Sequence, residues 1–84
     1  MTVRVLYFGI VRERLAMREE VYELEAGSTV HDLAVEVERR HGALAQGVAA
    51  IRFAVNNEYV DLGHLLASDD EVAVIPPVSG GSGV

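Results

Sequence analysis

The stretch Thr29-Val-His-Asp32 constrains this chain more than any other. Thr29 offers a hydroxyl to the free amides of a helix start, and Asp32, three residues on, completes a capping box. Val30, Leu33 and Val37 then fall on one helical face, while Glu36 and Arg40 are spaced to pair at i, i+4 on the other. Gly42 stands where a left-handed C-terminal residue is wanted. This is one good helix in a chain otherwise patterned as strands. A single helix covers only one face of a small sheet, so the expected architecture is two-layer α+β.

The flanking segments supply the sheet. Residues Val3 to Ile10 read as a strand rich in β-branched and aromatic residues and closed by Gly9. Val11 to Met17 suits a short helix. Glu20 to Leu24 alternates polar with apolar and ends in the turn Glu25-Ala26-Gly27. Beyond the main helix, Ile51 to Val55 reads as a strand. Asn56-Asn57 tolerates the positive φ values of a type I′ hairpin turn, and Glu58 to Val60 is the return strand. The turn-rich stretch Asp61 to Asp70 places Leu65-Leu66 in the core. Val72 to Ile75 is the last strand, ended by Pro76-Pro77, which cannot continue a sheet ladder. The first and last strands are then adjacent and parallel, with a mixed sheet packed on one main helix as in a β-grasp. A small β-barrel is the competing fold, which the capped central helix disfavours. The chain divides into a domain over residues 1–77 and a tail over 78–84 that carries three glycines in seven residues.

Composition removes whole classes of function. With 84 residues there is room for one small domain with a thin core, which argues against a deep, self-contained active site. No cysteine is present, so disulfides, thiolate metal sites and thiol nucleophiles are excluded. All seven basic residues are arginine, and against thirteen acids they leave a net charge of −6. Such a chain is repelled by phosphate backbones and anionic lipid, which speaks against nucleic-acid and membrane partners. The absence of a signal-peptide pattern and of a long apolar run makes a cytoplasmic location the expectation.

The polar residues do not assemble a catalytic site in the sequence. His31, His41 and His64 lack metal-ligand spacing and read as surface or helix-end residues, with His41 favourably placed at a helix C-terminus. Asp69-Asp70-Glu71 reads as a charged turn before a strand. Ser28 and Thr29 read as capping residues, and Gly80-Gly81 is no phosphate loop because no helix follows it. No metal site is expected. What remains is the tail, a stretch without bulky side chains that is thin enough to enter a narrow cleft of another protein. A second argument comes from strand one. Val3, Val5 and Tyr7 lie on one face, Leu6 and Phe8 on the other, and Val72/Val74 oppose Ala73/Ile75 in the same way. The helix occupies one apolar face, and the other is expected to be a binding patch beside the tail.

The segments Val3-Arg-Val-Leu-Tyr-Phe-Gly9, Val11-Arg-Glu13, Phe53-Ala-Val-Asn56 and, above all, Asp70-Glu-Val-Ala-Val-Ile-Pro-Pro-Val-Ser-Gly-Gly81 closely resemble the small subunit of molybdopterin synthase. The resemblance runs from residue 3 to residue 81. It implies a ubiquitin-like β-grasp and a sulfur carrier that binds no cofactor of its own. By that resemblance the Gly81 carboxylate is adenylated by an E1-like activating enzyme using ATP and Mg²⁺. With a sulfurtransferase it is then converted to a thiocarboxylate, and the sulfur passes to a cyclic pyranopterin precursor in molybdenum cofactor biosynthesis. Pro76, Pro77, Val78, Ser79 and Gly80 match the part of the tail that inserts into the large subunit. Phe8, Tyr59 and Ile75 match apolar positions that contact it.

One departure stands out. Ser82-Gly83-Val84 follows the diglycine, so the Gly81 carboxyl is tied up in a peptide bond. Either a C-terminal peptidase removes these residues, or they are foreign to the natural chain, or this paralogue carries no sulfur. Related readings are a β-grasp carrier for thiazole or cysteine synthesis, a ubiquitin-like protein modifier, and a plain interaction domain.

Overall fold

The computed structural model describes residues 1–42 and 51–77. In chain order the elements are β1 (Thr2–Tyr7), α1 (Gly9–Leu15), β2 (Glu19–Glu23), α2 (Val30–His41), β3 (Arg52–Val55), β4 (Glu58–Val60) and β5 (Glu71–Ile75). The five strands form one mixed sheet in the order β2-β1-β5-β3-β4. β1 and β5 run parallel at its centre, with Leu6 opposite Ala73 and Tyr7 opposite Val74, and the other three pairings are antiparallel.

Helix α2 forms as its sequence predicts. The Thr29 hydroxyl accepts from the Asp32 amide at 3.2 Å, and the Asp32 carboxylate accepts from the Thr29 amide at 2.9 Å. These two bonds satisfy donors that a helix start otherwise leaves open. Val30, Leu33 and Val37 are fully buried against the inner face of the sheet, where Val3, Val5, Tyr7, Val72 and Val74 meet them. Period-2 alternation on β1 and β5 and a helical stripe on α2 thus close one core between two layers.

Turn chemistry sets the register at the far edge. Asn56 and Asn57 take φ values of 50° and 75°, as a two-residue type I′ turn requires. Asn56 also ties the hairpin to β5: its side chain accepts from the Glu71 amide at 3.0 Å and donates to Asp70 at 2.9 Å. Asp70 in turn accepts from the Ala67 amide at 2.8 Å, so the acidic run before β5 is a hydrogen-bonded turn.

Several local expectations need correction. β1 ends at Tyr7, and Gly9 does not close the strand; it begins α1 with φ +57°. That helix consequently starts two residues earlier than Val11 and stops at Leu15, because Ala16 turns left-handed at φ 57°, ψ 36°. Gly42 has the positive φ expected of a helix terminator, but its ψ of −175° is extended and not left-handed helical. Of Leu65-Leu66, only Leu66 is buried; Leu65 is exposed and bridges to Thr29 through its backbone. Glu36 bonds Arg39 one turn along at 2.6 Å, and Arg40 turns away to Glu20.

Candidate functional site

Among the described residues, no helix covers the sheet face opposite α2. Alternation places Leu6, Ala73, Ala54 and Tyr59 in one row across four strands, since Leu6 pairs with Ala73, Ala73 with Ala54, and Ala54 with Tyr59. Ile75 lies one step further along β5, and Phe8 follows the end of β1. The three residues picked out from the sequence, Phe8, Tyr59 and Ile75, line one surface concavity of about 240 Å³, together with Leu6, Ala54 and Ala73. Phe8 is 42% and Tyr59 64% exposed, which makes them surface and not core. Burying such rings against a partner would remove a large apolar area from water. Arg4 pairs with Glu71 at the lower margin of this face, so these two charges neutralise each other beside the patch.

Pro76 and Pro77 continue directly from Ile75 and leave the sheet as expected of residues with a fixed φ and no backbone donor. Gly9 packs under Pro76 so closely that any side chain there would collide with the proline ring. The end of β5 is therefore pinned against the start of α1. Val78, Ser79, Gly80, Gly81, Ser82, Gly83 and Val84 lie outside the described residues.

The inner end of the molecule holds a polar cluster that sequence reasoning missed. Glu20 accepts from the Tyr7 hydroxyl at 2.7 Å, the Tyr22 hydroxyl at 2.9 Å, and Arg40 at 3.0 Å, and its other close partner is the His41 Nε2 at 2.8 Å. Burial by itself would push the Glu20 carboxyl up, but the bonds from His41, Tyr7, Arg40 and Tyr22 outweigh it and hold it at about 2. The Tyr7 hydroxyl is pushed above its ordinary range, first by burial and then by its bonds to Tyr22 and Glu20. Burial likewise raises Tyr22. His41 is thus not simply a helix-end histidine at the surface; it helps lock the last turn of α2 onto β1 and β2. Alternation on β2 would have warned that Tyr22 points inward. Nothing local announces that Glu20 would meet residues from three elements.

A larger concavity, about 700 Å³, runs between α2 and the β3–β4 edge, with Val35, Phe53, Tyr59 and Leu62 among its lining. It too was not foreseen, because it depends on the crossing of α2 over the sheet. Among the described residues there is no cluster of three or more His, Asp or Glu able to hold a metal ion. No helix among them is long and apolar enough to cross a membrane.

A mixed sheet with parallel central strands, one long helix across one face, and a last strand that runs into a Pro-Pro exit defines a ubiquitin-like β-grasp protein. Its structure is similar to that of SAMP1 from Haloferax volcanii, with a TM-score of 0.86 at 28% identity over 96% of this chain and 100% of that one. In sequence, the ThiS family model matches residues 5–81. The chain is 40% identical to the molybdopterin synthase sulfur carrier subunit of Chlamydomonas reinhardtii over 83 residues, covering 96% of this chain and 100% of the relative. It is 43% identical to the human protein of that name over 82 residues, covering 94% and 93%. The chain belongs to the ThiS family, on the side of the molybdopterin synthase sulfur carrier subunits.

Proposed function

We propose that this chain is the sulfur-carrying subunit of a molybdopterin synthase, and that the Gly81 carboxylate, freed of Ser82-Gly83-Val84, carries the sulfur. An E1-like enzyme with ATP and Mg²⁺ activates that carboxylate: its oxygen attacks the α-phosphorus, pyrophosphate leaves, and an acyl adenylate forms. The terminal sulfur of a persulfide on a sulfurtransferase attacks the acyl carbon and AMP leaves; a thiol then reduces the resulting acyl disulfide, itself ending as a disulfide, and a thiocarboxylate remains. The tail from Pro76 to Gly81 enters the large subunit, the thiocarboxylate sulfur bonds to the pyranopterin precursor, and water cleaves the acyl–sulfur bond to restore the Gly81 carboxylate. The groups that bind the precursor's phosphate belong to the large subunit, since the tail carries no cation. The chemistry suits a chain with no cysteine, in which an activated carboxylate is the available covalent carrier of sulfur.

The observation that carries this reading is the apolar cluster at the root of the tail, in which Phe8 and Tyr59 are exposed and Ile75 is half-buried beside them. It is an apolar docking face placed where a partner must sit to receive the tail. Intact-mass measurement of the protein from its native host tests the proposal. Loss of Ser82-Gly83-Val84, with a fraction carrying sulfur in place of one oxygen, is the expected result, and Gly81→Ala abolishes that fraction. An active population that still ends at Val84 would overturn it.

Similarity to SAMP1 of Haloferax volcanii, a small archaeal modifier protein, favours a second reading as a modifier joined to lysines of target proteins. ATP-dependent covalent adducts in lysates, with no thiocarboxylate on the free chain, would favour this second reading over the first.

A further inference from the structure

Arg52 lies beside the apolar face, at the start of β3. Arg4, Arg39 and Arg40 each pair with a carboxylate, from Glu71, Glu36 and Glu20 respectively. Arg52 has no carboxylate within ion-pair distance among the described residues; its guanidinium carbon lies 5.4 Å from the centre of the Tyr59 ring. It is exposed, and in the β3–β5 register it sits directly opposite Ile75, the last residue before the prolines. An unneutralised guanidinium therefore flanks the apolar cluster one strand away from the root of the tail.

We infer that Arg52 is the charged rim of this docking face and that its guanidinium pairs with a carboxylate side chain of the protein seated on Phe8, Tyr59 and Ile75. The inference rests on the reading of that face as the carrier's docking surface. Two physical arguments converge on a carboxylate. A guanidinium laid over an aromatic ring keeps its edge N–H groups free, and their fork matches a carboxylate's two oxygens. The neighbouring cation of the same face, Arg4, is already neutralised by Glu71, which leaves Arg52 to be met from outside. On a chain whose net charge is −6, this guanidinium is a point of opposite sign. A single point of opposite sign then fixes the orientation in which the partner docks, because a rotated complex sets like charges against each other.

The test uses the chain ending at Gly81 and the purified large subunit, with affinities measured at low and high salt for wild type, Arg52→Gln, Arg52→Glu and Phe8→Ala, each first checked for an unchanged melting temperature. Arg52→Gln is expected to bind about threefold to tenfold more weakly at low salt, Arg52→Glu more weakly still, and both differences to shrink at high salt. Arg52→Glu binding as tightly as wild type while Phe8→Ala is weakened would overturn the role of Arg52 and leave the docking face standing. Equal losses in Arg52→Gln and Arg52→Glu, with no dependence on salt, would show packing on Tyr59 and overturn the carboxylate. Unchanged binding in all three variants, or no binding by wild type, would overturn the reading of the face itself.

Discussion

A Cβ atom on Gly9 would lie 2.8 Å from Cγ of Pro76, so the first residue of α1 and the first residue beyond β5 share one van der Waals space. Gly9 also holds a φ of +57°, in the region that favours glycine over residues with a side chain. The contact joins two points far apart in sequence at the place where the tail leaves the fold. It requires glycine twice, for backbone conformation and for space.

Gly9→Ala is therefore expected to cost about 1–3 kcal/mol of stability, from left-handed strain and collision with a proline ring that has no rotamer to escape into. Denaturant unfolding of the variant measures the loss. In the fraction that stays folded, Pro76 must shift, and affinity for the large subunit is expected to fall with it. A stability equal to wild type would show that the backbone relieves the contact at no cost.

Phe8→Ala separates interface from core. Because the ring is exposed, the substitution is expected to weaken complex formation with the large subunit by roughly 1–3 kcal/mol while leaving the melting temperature nearly unchanged. Had Phe8 been core, truncation would cost about 3–5 kcal/mol of stability instead. Titration calorimetry and thermal unfolding on the same samples distinguish the two.

The carboxyl of Glu20 is held at about 2 against an ordinary value of 4.5. The unfolded chain thus takes up this proton more readily than the folded one. The stabilisation is fully present above about pH 5 and is lost as the pH falls from 4.5 towards 2. Allowing for screening on the side open to solvent at Arg40, it amounts to about 1–3 kcal/mol. Glu20→Gln is expected to lower stability by that much at neutral pH and to flatten the acid limb of the stability curve. Urea midpoints measured from pH 2 to pH 7 check both effects, and an acid limb identical to that of wild type would refute the role given to Glu20.

Thr29→Ala removes one half of the capping box and strands the Asp32 amide. A loss of about 0.5–2 kcal/mol is expected, and Thr29→Ser, which keeps the hydroxyl, is expected to recover most of it. Thermal unfolding of the pair measures the difference.

The sequence by itself determined whatever depends on residues within a few positions of each other. The capping box of Thr29 and Asp32, the buried stripe of α2, the Asn56-Asn57 turn and the opposite faces of β1 were all legible, because capping, helical period and strand alternation are local physics. The two-layer arrangement followed from having one main helix to cover one sheet face, and the parallel neighbours β1 and β5 from the β-grasp pattern that this arrangement matches. Phe8, Tyr59 and Ile75 were legible as candidates through family resemblance, and the alternation on β1 and β5 supported Phe8 and Ile75. Tertiary structure decided the rest. Arg40 leaves Glu36, its expected helical partner, for Glu20 on β2, where a half-buried carboxylate with several donors binds it better than an exposed one. His41, Tyr7 and Tyr22 converge on the same group from α2, β1 and β2. Gly9 reads in sequence as a strand end, yet its side-chain-free surface is taken up by Pro76. Such meetings are set by strand register and by the crossing of α2 over the sheet, and residues this far apart carry no local period by which to announce them.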